Sequence, residues 1–322
     1  MKFDIVVNPA GAGGKANQYF EEHRGLFSGA EHQVHYSTID HGIDKIVEEL
    51  SSQPDIHNII IVGGDGTMND AVNGIRDFSH VRIGLLPYGS ANDLAKDIGI
   101  SGSVEDHVRN MLKGETVRQM DVGELVIHSM CDRIDKKTHE ADPAFVEEER
   151  RVRFNVSAGV GWDAEICRYA DISKFKKTLN KIKLGKLIYL AEAVRTIFAM
   201  NTFRCEIEAN GETISYPRCV FGAFMNHRFE GGGFMFGPNA KNNDGILDLC
   251  AVNDITAADF FKMFPLAYKG RQFETEYCFE RRASSFRVRT DKPVWIHTDG
   301  EVVCRSNDLT VRLLEEKLNL LF

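Results

Sequence analysis

Short apolar runs alternate with amphipathic stretches along the first third of the chain. The runs predict four strands, at Phe3–Val7, Val34–Ile39, Ile59–Val62 and Arg82–Leu86. Helical periodicity follows them at Ala16–Phe27, Ile43–Ser51, Met68–Ile75 and Val104–Lys113. Strands that alternate with helices in this way form a parallel sheet with helices on both faces. The pattern therefore predicts a doubly wound α/β domain over residues 1–125.

The pattern changes after residue 125, where short strand-like segments follow one another. Asn210-Gly211 lies between two such segments and is a strong signal for a type I′ hairpin turn. We expect an antiparallel β-sandwich domain over 126–305, with the C-terminal tail of about 306–322 packing back on the first domain. The predicted strands are Glu124–His128, Arg153–Ala158, Arg204–Ala209, Thr213–Tyr216, Cys219–Phe224, Leu247–Val252, Ser285–Thr290, Val294–Thr298 and Leu309–Leu313.

Two inserts interrupt this β-rich half. Residues 131–151 are rich in charge and predict a solvated loop or an extended hairpin. Residues 173–198 have helical periodicity and carry seven basic side chains against one acidic side chain. A basic amphipathic helix suits an anionic membrane surface. The alternative is a helix packed on the β domain with its lysines in solvent.

Composition narrows the class of protein. The net charge of −8 argues against general binding to nucleic acid. No apolar run approaches the roughly 20 residues of a membrane span, and the N-terminus reads as a strand rather than a signal peptide. The seven cysteines are odd in number and widely scattered, which predicts reduced thiols in a cytoplasmic protein.

Glycine-rich turns follow three of the predicted strands, so they gather along the carboxyl edge of the sheet, where such sheets bind ligands. The first, "NPAGAGGK" (8–15), offers Asn8, Gly11, Gly13 and Gly14 around a helix start that suits an anion. It lacks the spacing of a Walker A loop. It matches the G-x-G-x-x-A dinucleotide fingerprint, which leaves a dehydrogenase as a distant alternative, and a turn without any ligand is another.

The second turn, "GGDGTMND" (63–70), is more specific. Gly63, Gly64 and Gly66 let the backbone approach an oxyanion, and Asp65 offers an oxygen to Mg²⁺ or to a water that Mg²⁺ holds. Thr67 and Asn69 add hydrogen-bonding groups at the helix start. The alternative, in which Asp65 only caps a helix, does not explain three glycines.

The third turn, "LPYGSANDLA" (86–95), lies one strand further on. Gly89 and Ser90 can meet a phosphate or a ribose, and Asn92-Asp93 adds a second carboxylate, although capping by Ser90 or Asn92 would also explain the pattern. "MDVG" (120–123) supplies a third acidic candidate, Asp121.

Together with "FNVSAGVGWDAEI" (154–166), "NDGILDL" (243–249) and "HTDGE" (297–301), these motifs resemble the diacylglycerol kinase catalytic-domain family, in particular its soluble bacterial lipid kinases. The resemblance implies an ATP-binding first domain of the NAD kinase and phosphofructokinase type, with the ATP phosphates over Gly64–Asp70. That range includes Met68 and Asp70. Ser90 and Thr38, from neighbouring turns, complete the ATP site that the resemblance implies.

The resemblance also implies roles for the acidic residues. Asp65, Asp93 and Asp121 correspond to a carboxylate–water network around the catalytic Mg²⁺, and Glu301 to the general base that takes the proton of the lipid hydroxyl. A second, structural Mg²⁺ would be bound by the Asp244 side chain and by the carbonyl groups of Lys241 and Ile246. Asp70 stands where relatives often have Glu, and Ser90 where many have Thr; both keep the functional group.

The sequence thus predicts an ATP- and Mg²⁺-dependent lipid kinase that phosphorylates diacylglycerol, giving phosphatidic acid, or a related lipid. We expect a cytoplasmic protein that reaches its lipid substrate at the membrane surface through residues 173–198, and relatives make a homodimer plausible. An NAD kinase-like enzyme with a soluble substrate, or a nucleotide-binding regulator without turnover, are the alternatives.

Overall fold

The computed structural model describes residues 1–89, 92–134, 141–142, 149–172 and 186–322. The chain forms two compact units, which we call unit 1 (Met1–Val122 with Glu315–Phe322) and unit 2 (Gly123–Leu314). Two strands contribute residues to both units, namely β5 (Val117–Ser129) and β15 (Glu301–Leu321).

Unit 1 is a parallel sheet with helices. Its other strands are β1 (Lys2–Val7), β2 (Glu31–Tyr36), β3 (His57–Gly63) and β4 (Val81–Pro87). The helices are α1 (Gly11–Gly14, one kinked turn), α2 (Ala16–His23), α3 (Ile43–Ser51), α4 (Asp65–Gly74), α5 (Asp93–Asp97) and α6 (Val104–Lys113), with 3₁₀ turns at Arg24–Phe27 and Phe78–His80. The strand order is β15–β4–β3–β1–β2, and every neighbouring pair is parallel.

Both faces of this sheet are covered. Ile5 and Ile60 pack on one face in a core that includes Phe20 of α2 and Met111 of α6. The residues between them along the strands, such as Ile61, are equally buried. Strands buried on both faces are near-continuous apolar runs, which is the pattern these strands show. The predicted doubly wound α/β fold is confirmed.

Unit 2 is mainly antiparallel. Its other strands are β6 (Asp132–Ile134), β7 (Ala141–Asp142), β8 (Arg150–Phe154), β9 (Ser157–Gly161), β10 (Phe203–Ala209), β11 (Glu212–Met225), β12 (Leu247–Asn253), β13 (Cys278–Ala283) and β14 (Ser285–Thr298). They run in the order β13–β12–β11–β10–β14–β15, and β9 pairs with both β11 and β14. Its helices are α7 (Trp162–Ile172), α8 (Lys186–Thr196) and α9 (Ala257–Ala267), with 3₁₀ turns at Ile197–Ala199 and Gln272–Glu274.

The strands of unit 2 separate two cores. Along β12, Leu249 and Ala251 face one core, whereas Cys250 and Val252 face the other. The second core also contains Trp162 of α7 and Phe260 of α9, together with residues of α8 and the 3₁₀ turn after it. The antiparallel prediction is confirmed, and this second core explains why so many consecutive residues of β11 and β12 are apolar.

The two inserts are described in part. β6 and β7 pair antiparallel, as an extended hairpin would, and residues 135–140 and 143–148 lie outside the described residues. Residues 173–185, with most of the predicted basic lysines, also lie outside them, whereas 186–196 are helical as predicted. Among the helices described, none combines the length and the apolarity that a membrane span requires.

Candidate functional site

Gly64 of "GGDG" and Gly89 are required by close packing between two turns of unit 1. A Cβ on Gly64 would lie 2.8 Å from the Cα of Gly89, and a Cβ on Gly89 would lie 2.5 Å from the Cα of Gly64. A Cβ on Gly63 would overlap the side chain of Thr67. The Tyr88 N–H also donates to the Gly63 carbonyl at 2.7 Å. The turns after β3 and β4 therefore touch through their glycines.

Asp65 links the same two turns through its carboxylate. Its oxygens accept from the backbone N–H groups of Asp93 (2.9 Å) and Leu94 (3.2 Å), so Asp65 caps the short helix α5. Asp65 thus acts as a cap, but of another helix than its own, and its role toward Mg²⁺ stays a prediction. A carboxylate oxygen has two lone pairs, so capping is compatible with a water held by Mg²⁺.

The N-terminus of α4 has no side-chain cap, because its N-cap residue is Gly64. The first N–H groups of a helix have no partner inside it, and together with the helix dipole they suit a phosphate oxygen. Asp65, Gly66 and Thr67 supply these N–H groups, whereas the Met68 N–H donates to the Gly64 carbonyl at 3.1 Å and its side chain is buried. Met68 is therefore the predicted contact least suited to a ligand.

Other predicted contacts lie around these turns. Asn8 donates to the Thr67 hydroxyl at 3.4 Å, and Thr67 is itself buried. Asn92 adopts a left-handed conformation (φ 52°), and its buried Oδ1 accepts no hydrogen bond among the described atoms. Asn69 is buried in α4. Ser90 lies outside the described residues.

The turn after β1 and the turn after β2 are both open. Gly13 and Gly14 have positive φ angles (70° and 88°), and a Cβ on either would meet no atom within 4 Å. After β2, the Thr38 hydroxyl accepts from the His41 N–H at 3.1 Å. Gly11 packs against Ala16, with its added Cβ 3.3 Å from that side chain.

The two other predicted aspartates of unit 1 are buried, each at most 4% exposed. Asp93 begins α5, next to the Asp65 carboxylate that caps it. Asp121 lies in β5 and forms an ion pair with Lys317 of β15, at 2.6 Å. No local pattern pointed to Lys317, which lies far along the chain from its partner.

The residues of unit 1 carry donors and acceptors of the kind that ATP and Mg²⁺ need. Unit 1 provides a helix start without a side-chain cap beside a carboxylate. Asn92 Oδ1 accepts no hydrogen bond from the described residues and is the kind of acceptor that a ribose hydroxyl or a metal-bound water satisfies. The donor set of oxygens is one that Mg²⁺ prefers. The residues therefore fit both groups.

In unit 2, "HTDGE" forms the two-residue turn between β14 and β15. Thr298 pairs with Glu301, and Asp299 and Gly300 have positive φ angles of 50° and 81°, as a type I′ turn requires. The Asp299 carboxylate accepts from the N–H groups of Asn155 (2.8 Å) and Val156 (2.8 Å), just before β9, and from that of Ser157 (3.0 Å), the first residue of β9. Glu301 follows the turn at an exposed position.

A buried cluster that sequence reasoning missed lies behind this turn. His297 Nε2 is 2.8 Å from the Asp163 carboxylate and 3.5 Å from that of Glu230, and the His297 side chain has no exposed surface. Burial and the charge of Asp163 raise the pKa of Glu230 to about 8. The sequence did contain a signal for this cluster, because His297 and Asp163 lie inside the motifs "HTDGE" and "GWDAE".

The turn predicted to bind a structural Mg²⁺ precedes β12. The Asp244 carboxylate accepts from the Ile246 N–H (3.1 Å) and from the Arg282 guanidinium (3.2 Å), and Arg282 also donates to Asp248 at 3.0 Å. Both oxygens of Asp244 thus accept hydrogen bonds, and the guanidinium already supplies positive charge. A divalent cation held by Asp244 and by the carbonyl groups of Lys241 and Ile246 would therefore share the Asp244 carboxylate with Arg282, and the structural Mg²⁺ stays a prediction.

Two family models match the chain. "Diacylglycerol kinase catalytic domain" matches residues 2–125, and "YegS C-terminal NAD kinase beta sandwich-like domain" matches residues 155–322. The second match also confirms the sandwich predicted for the C-terminal part.

Relatives and solved structures agree with these matches. A diacylglycerol kinase of Bacillus subtilis is 21% identical over 92% of this chain and 88% of its own. One of Staphylococcus carnosus is 22% identical over 83% and 77%. The crystal structure of a diacylglycerol kinase from Bacillus anthracis has the same fold, with a TM-score of 0.72, 21% identity, and coverage of 100% of this chain and 96% of that one. The chain belongs to the diacylglycerol kinase catalytic-domain family.

Proposed function

We propose that this protein transfers the γ-phosphate of ATP to the free hydroxyl of diacylglycerol, or of a related lipid, with Mg²⁺. The observation that carries the proposal is Asp65, which joins two glycine turns beside the uncapped start of α4, in a chain of this family. Phosphoryl transfer depends mainly on positioning the phosphates and neutralising their charge.

Unit 1 would bind the nucleotide. The N–H groups at the start of α4 would bind phosphate oxygens, and Asp65, Asp93 and Asp121 would hold Mg²⁺ through water. When bound, Mg²⁺ neutralises charge on the phosphates. Lys317 keeps the buried Asp121 carboxylate paired and so fixes its position.

Unit 2 would supply the base. Glu301 would take the proton of the lipid hydroxyl as the hydroxyl oxygen forms a bond to the γ-phosphorus and the bond to the β–γ bridging oxygen breaks. A base within hydrogen-bond reach accelerates such a step by about 10²- to 10⁴-fold. The tight Asp299-Gly300 turn gives the Glu301 backbone a defined position.

The test is ATP-dependent phosphate transfer to diacylglycerol in mixed micelles, with phosphatidylglycerol, a sphingoid base and NAD as other acceptors. Glu301→Ala is the test variant. Glu212→Ala is a matched control, because Glu212 also follows a type I′ turn, at Asn210-Gly211, and is also exposed. We expect transfer to diacylglycerol that falls at least about 100-fold with Glu301→Ala and persists with Glu212→Ala.

Other outcomes have distinct meanings. Transfer to another lipid would keep the mechanism and change the acceptor. Transfer to NAD alone would contradict the lipid proposal. ATP binding without transfer to any acceptor would favour the alternative of a nucleotide-binding regulator without turnover.

We also propose that residues 173–198 contact the anionic surface of the cytoplasmic membrane, and that the protein forms a homodimer. In the described end of this segment, Val194 and Phe198 are 42% and 79% exposed, four residues apart. Exposed apolar side chains beside basic ones are typical of a helix that lies on a membrane. Light scattering of the purified protein tests the dimer.

A further inference from the structure

We propose that His297 is a positioning residue for the turn that presents Glu301. Its neutral imidazole accepts a hydrogen bond from the Gly300 N–H and donates one to Asp163. The proposal rests on the function proposed above, in which Glu301 is the base, and it assigns the buried cluster of unit 2 to that base.

The first contact determines the state of the ring. Gly300 N lies 3.1 Å from His297 Nδ1, with the N–H directed at the ring nitrogen. An N–H can donate only to a ring nitrogen that carries no proton, so Nδ1 is the acceptor and Nε2 carries the hydrogen.

The second contact uses that hydrogen. Nε2 donates to the Asp163 carboxylate at 2.8 Å, and Asp163 lies in the first turn of α7, where the helix dipole favours a negative charge. A carboxylate on one ring nitrogen selects the tautomer and the orientation of the ring, as it does in a catalytic triad. Asp163 therefore leaves the opposite nitrogen of His297 available to Gly300.

The surrounding backbone is shaped for this pair. Gly159 of β9 lies opposite His297, and a Cβ on it would overlap Nε2 and lie 2.5 Å from Asp163 Oδ2. The turn is also held on its other side, where Asp299 binds the backbone at the start of β9. The His297 contact acts on Gly300 itself, the residue directly before Glu301.

The charges around His297 act in opposite directions. Burial lowers the pKa of His297, but the neighbouring carboxylates of Asp163, Glu230 and Asp299 outweigh it and raise the pKa to about 9. A second proton would sit on Nδ1 and face the Gly300 N–H, breaking that hydrogen bond. The Gly300 N–H directed at Nδ1 opposes this second proton, so the proposed role requires the neutral ring and couples the ring state to the turn.

The Gly300 contact also opposes a metal ion in this cluster. Ligand atoms of Asp163, Cys167 and His297 lie within 4.8 Å of one another, a mixed set that could suit Zn²⁺. Binding through Nε2 would move the ring hydrogen to Nδ1, where Gly300 already donates. The hydrogen bonding favours the positioning role.

Two substitutions separate the contacts. Asn places an amide oxygen near the position of Nδ1, so His297→Asn keeps an acceptor for Gly300. Gln places its amide near Nε2, so His297→Gln keeps a partner for Asp163 and loses that acceptor. A misplacement of about 1 Å at a reacting group can cost about 10²-fold. We expect kcat of H297Q to be at least about tenfold below that of H297N, with the KM for ATP unchanged in both.

Thermal unfolding of both variants provides the control. Equal kcat values for H297N and H297Q, or a loss of kcat that follows the loss of Tm, would contradict the proposal. A second readout does not need activity: ¹⁵N-histidine NMR of the wild type should show a neutral ring with its hydrogen on Nε2. An imidazolium at neutral pH, or loss of that hydrogen on adding Zn²⁺, would overturn the assignment. If no acceptor is phosphorylated but the neutral tautomer is seen, the proposed function fails and the His297 contact stands.

Discussion

At the scale of single residues, a buried carboxylate in unit 1 should make stability depend on pH. Asp4 of β1 is 4% exposed and accepts from His35 (2.9 Å) and His57 (3.2 Å). Burial alone would raise the pKa of Asp4, but the two histidine hydrogen bonds outweigh it and lower the pKa below the ordinary 3.8. The ionised carboxylate is therefore favoured in the folded state.

A carboxylate whose pKa is lowered in the folded state stabilises the protein at pH values above its ordinary pKa. This contribution is lost as the pH falls through the lowered pKa of the folded state. We expect Asp4→Asn to reduce the free energy of unfolding by about 1–3 kcal/mol near pH 6–7, and by progressively less below about pH 4. Urea unfolding across this range measures the difference. Asp55→Asn, at an exposed carboxylate, is the control and should show little change. A constant difference down to pH 2 would contradict the prediction.

Asp65 illustrates what sequence could and could not predict at this scale. The residue types and the three glycines singled it out correctly as a special position. The helix that it caps begins 28 residues later, because the turns after β3 and β4 meet in the sheet. Likewise, Lys317 and Arg282 reach Asp121 and Asp244 only through the fold. No local pattern contains such a partner.

At the scale of elements, the contact between the two glycine turns should control nucleotide affinity. A Cβ at residue 89 would press on the Gly64 backbone, and backbone atoms cannot yield as a flexible side chain does. We expect Gly89→Ala to weaken Mg·ATP binding at least about tenfold, by displacing the start of α4. Calorimetric titration measures this. Gly29→Ala is the matched control, because a Cβ there meets nothing within 4 Å. Equal ATP affinities of the two variants would show that the turns shift to accommodate the added Cβ.

The turn before β12 should be held by Arg282 rather than by a cation. Arg282 and Asp248 are directly opposite in the β12–β13 ladder, and the guanidinium spans Asp248 and Asp244. We expect chelation of Mg²⁺, without nucleotide, to leave Tm unchanged. Arg282→Met should lower the free energy of unfolding by about 1–3 kcal/mol, as loss of hydrogen bonds to charged groups does.

Arg281→Met, at the adjacent exposed position, is the control for that variant. A fall of several degrees in the wild-type Tm on chelation would restore the structural Mg²⁺ that the sequence predicted at Asp244.

Helices and strands were predictable where the spacing of apolar residues is typical of only one type of element. The buried strands β1 and β3 are mostly apolar, although Asp4 interrupts β1, and both were predicted. Helices α7 and α9 were not predicted. Helix α9 is apolar over most of its length and contains Pro265, so its sequence lacks amphipathic periodicity. Its burial against the second core of unit 2 stabilises it, and this is a tertiary effect.

At the scale of the whole molecule, the last residues of the chain complete unit 1. Residues 319–320 of β15 pair with β4, and Leu318, Leu320 and Leu321 are buried. Burying each leucine contributes about 1.5–3 kcal/mol, so the three together are comparable with the stability of a whole domain. We expect a chain that ends at residue 314 not to fold in unit 1, as judged by circular dichroism and proteolysis.

The ion pair between Lys317 and Asp121 can be tested separately from the buried leucines at the end of the chain. Lys317→Met keeps the apolar packing and removes the cation next to Asp121, which should cost about 1–3 kcal/mol because the carboxylate is buried. The double variant with Asp121→Asn should lose less than the sum of the single variants. Additive losses in urea unfolding would show that the pair contributes no coupling.

The charge distribution of the whole chain makes the proposed membrane contact testable. The protein has a net charge of −8, so an anionic bilayer repels it overall, and only a local cluster of cations can attract it. Each Lys near an anionic surface contributes about 1 kcal/mol, so changing Lys176, Lys177 and Lys181 to Glu should reduce binding to phosphatidylglycerol vesicles by about 100-fold or more.

Changing the exposed Lys2, Lys45 and Lys113 to Glu alters the net charge equally and is the matched control. Co-sedimentation at low and high salt measures both, since screening should weaken only the contact made by the lysines. If the two triple variants bind alike, net charge rather than residues 173–198 governs the interaction, and the docking segment lies elsewhere.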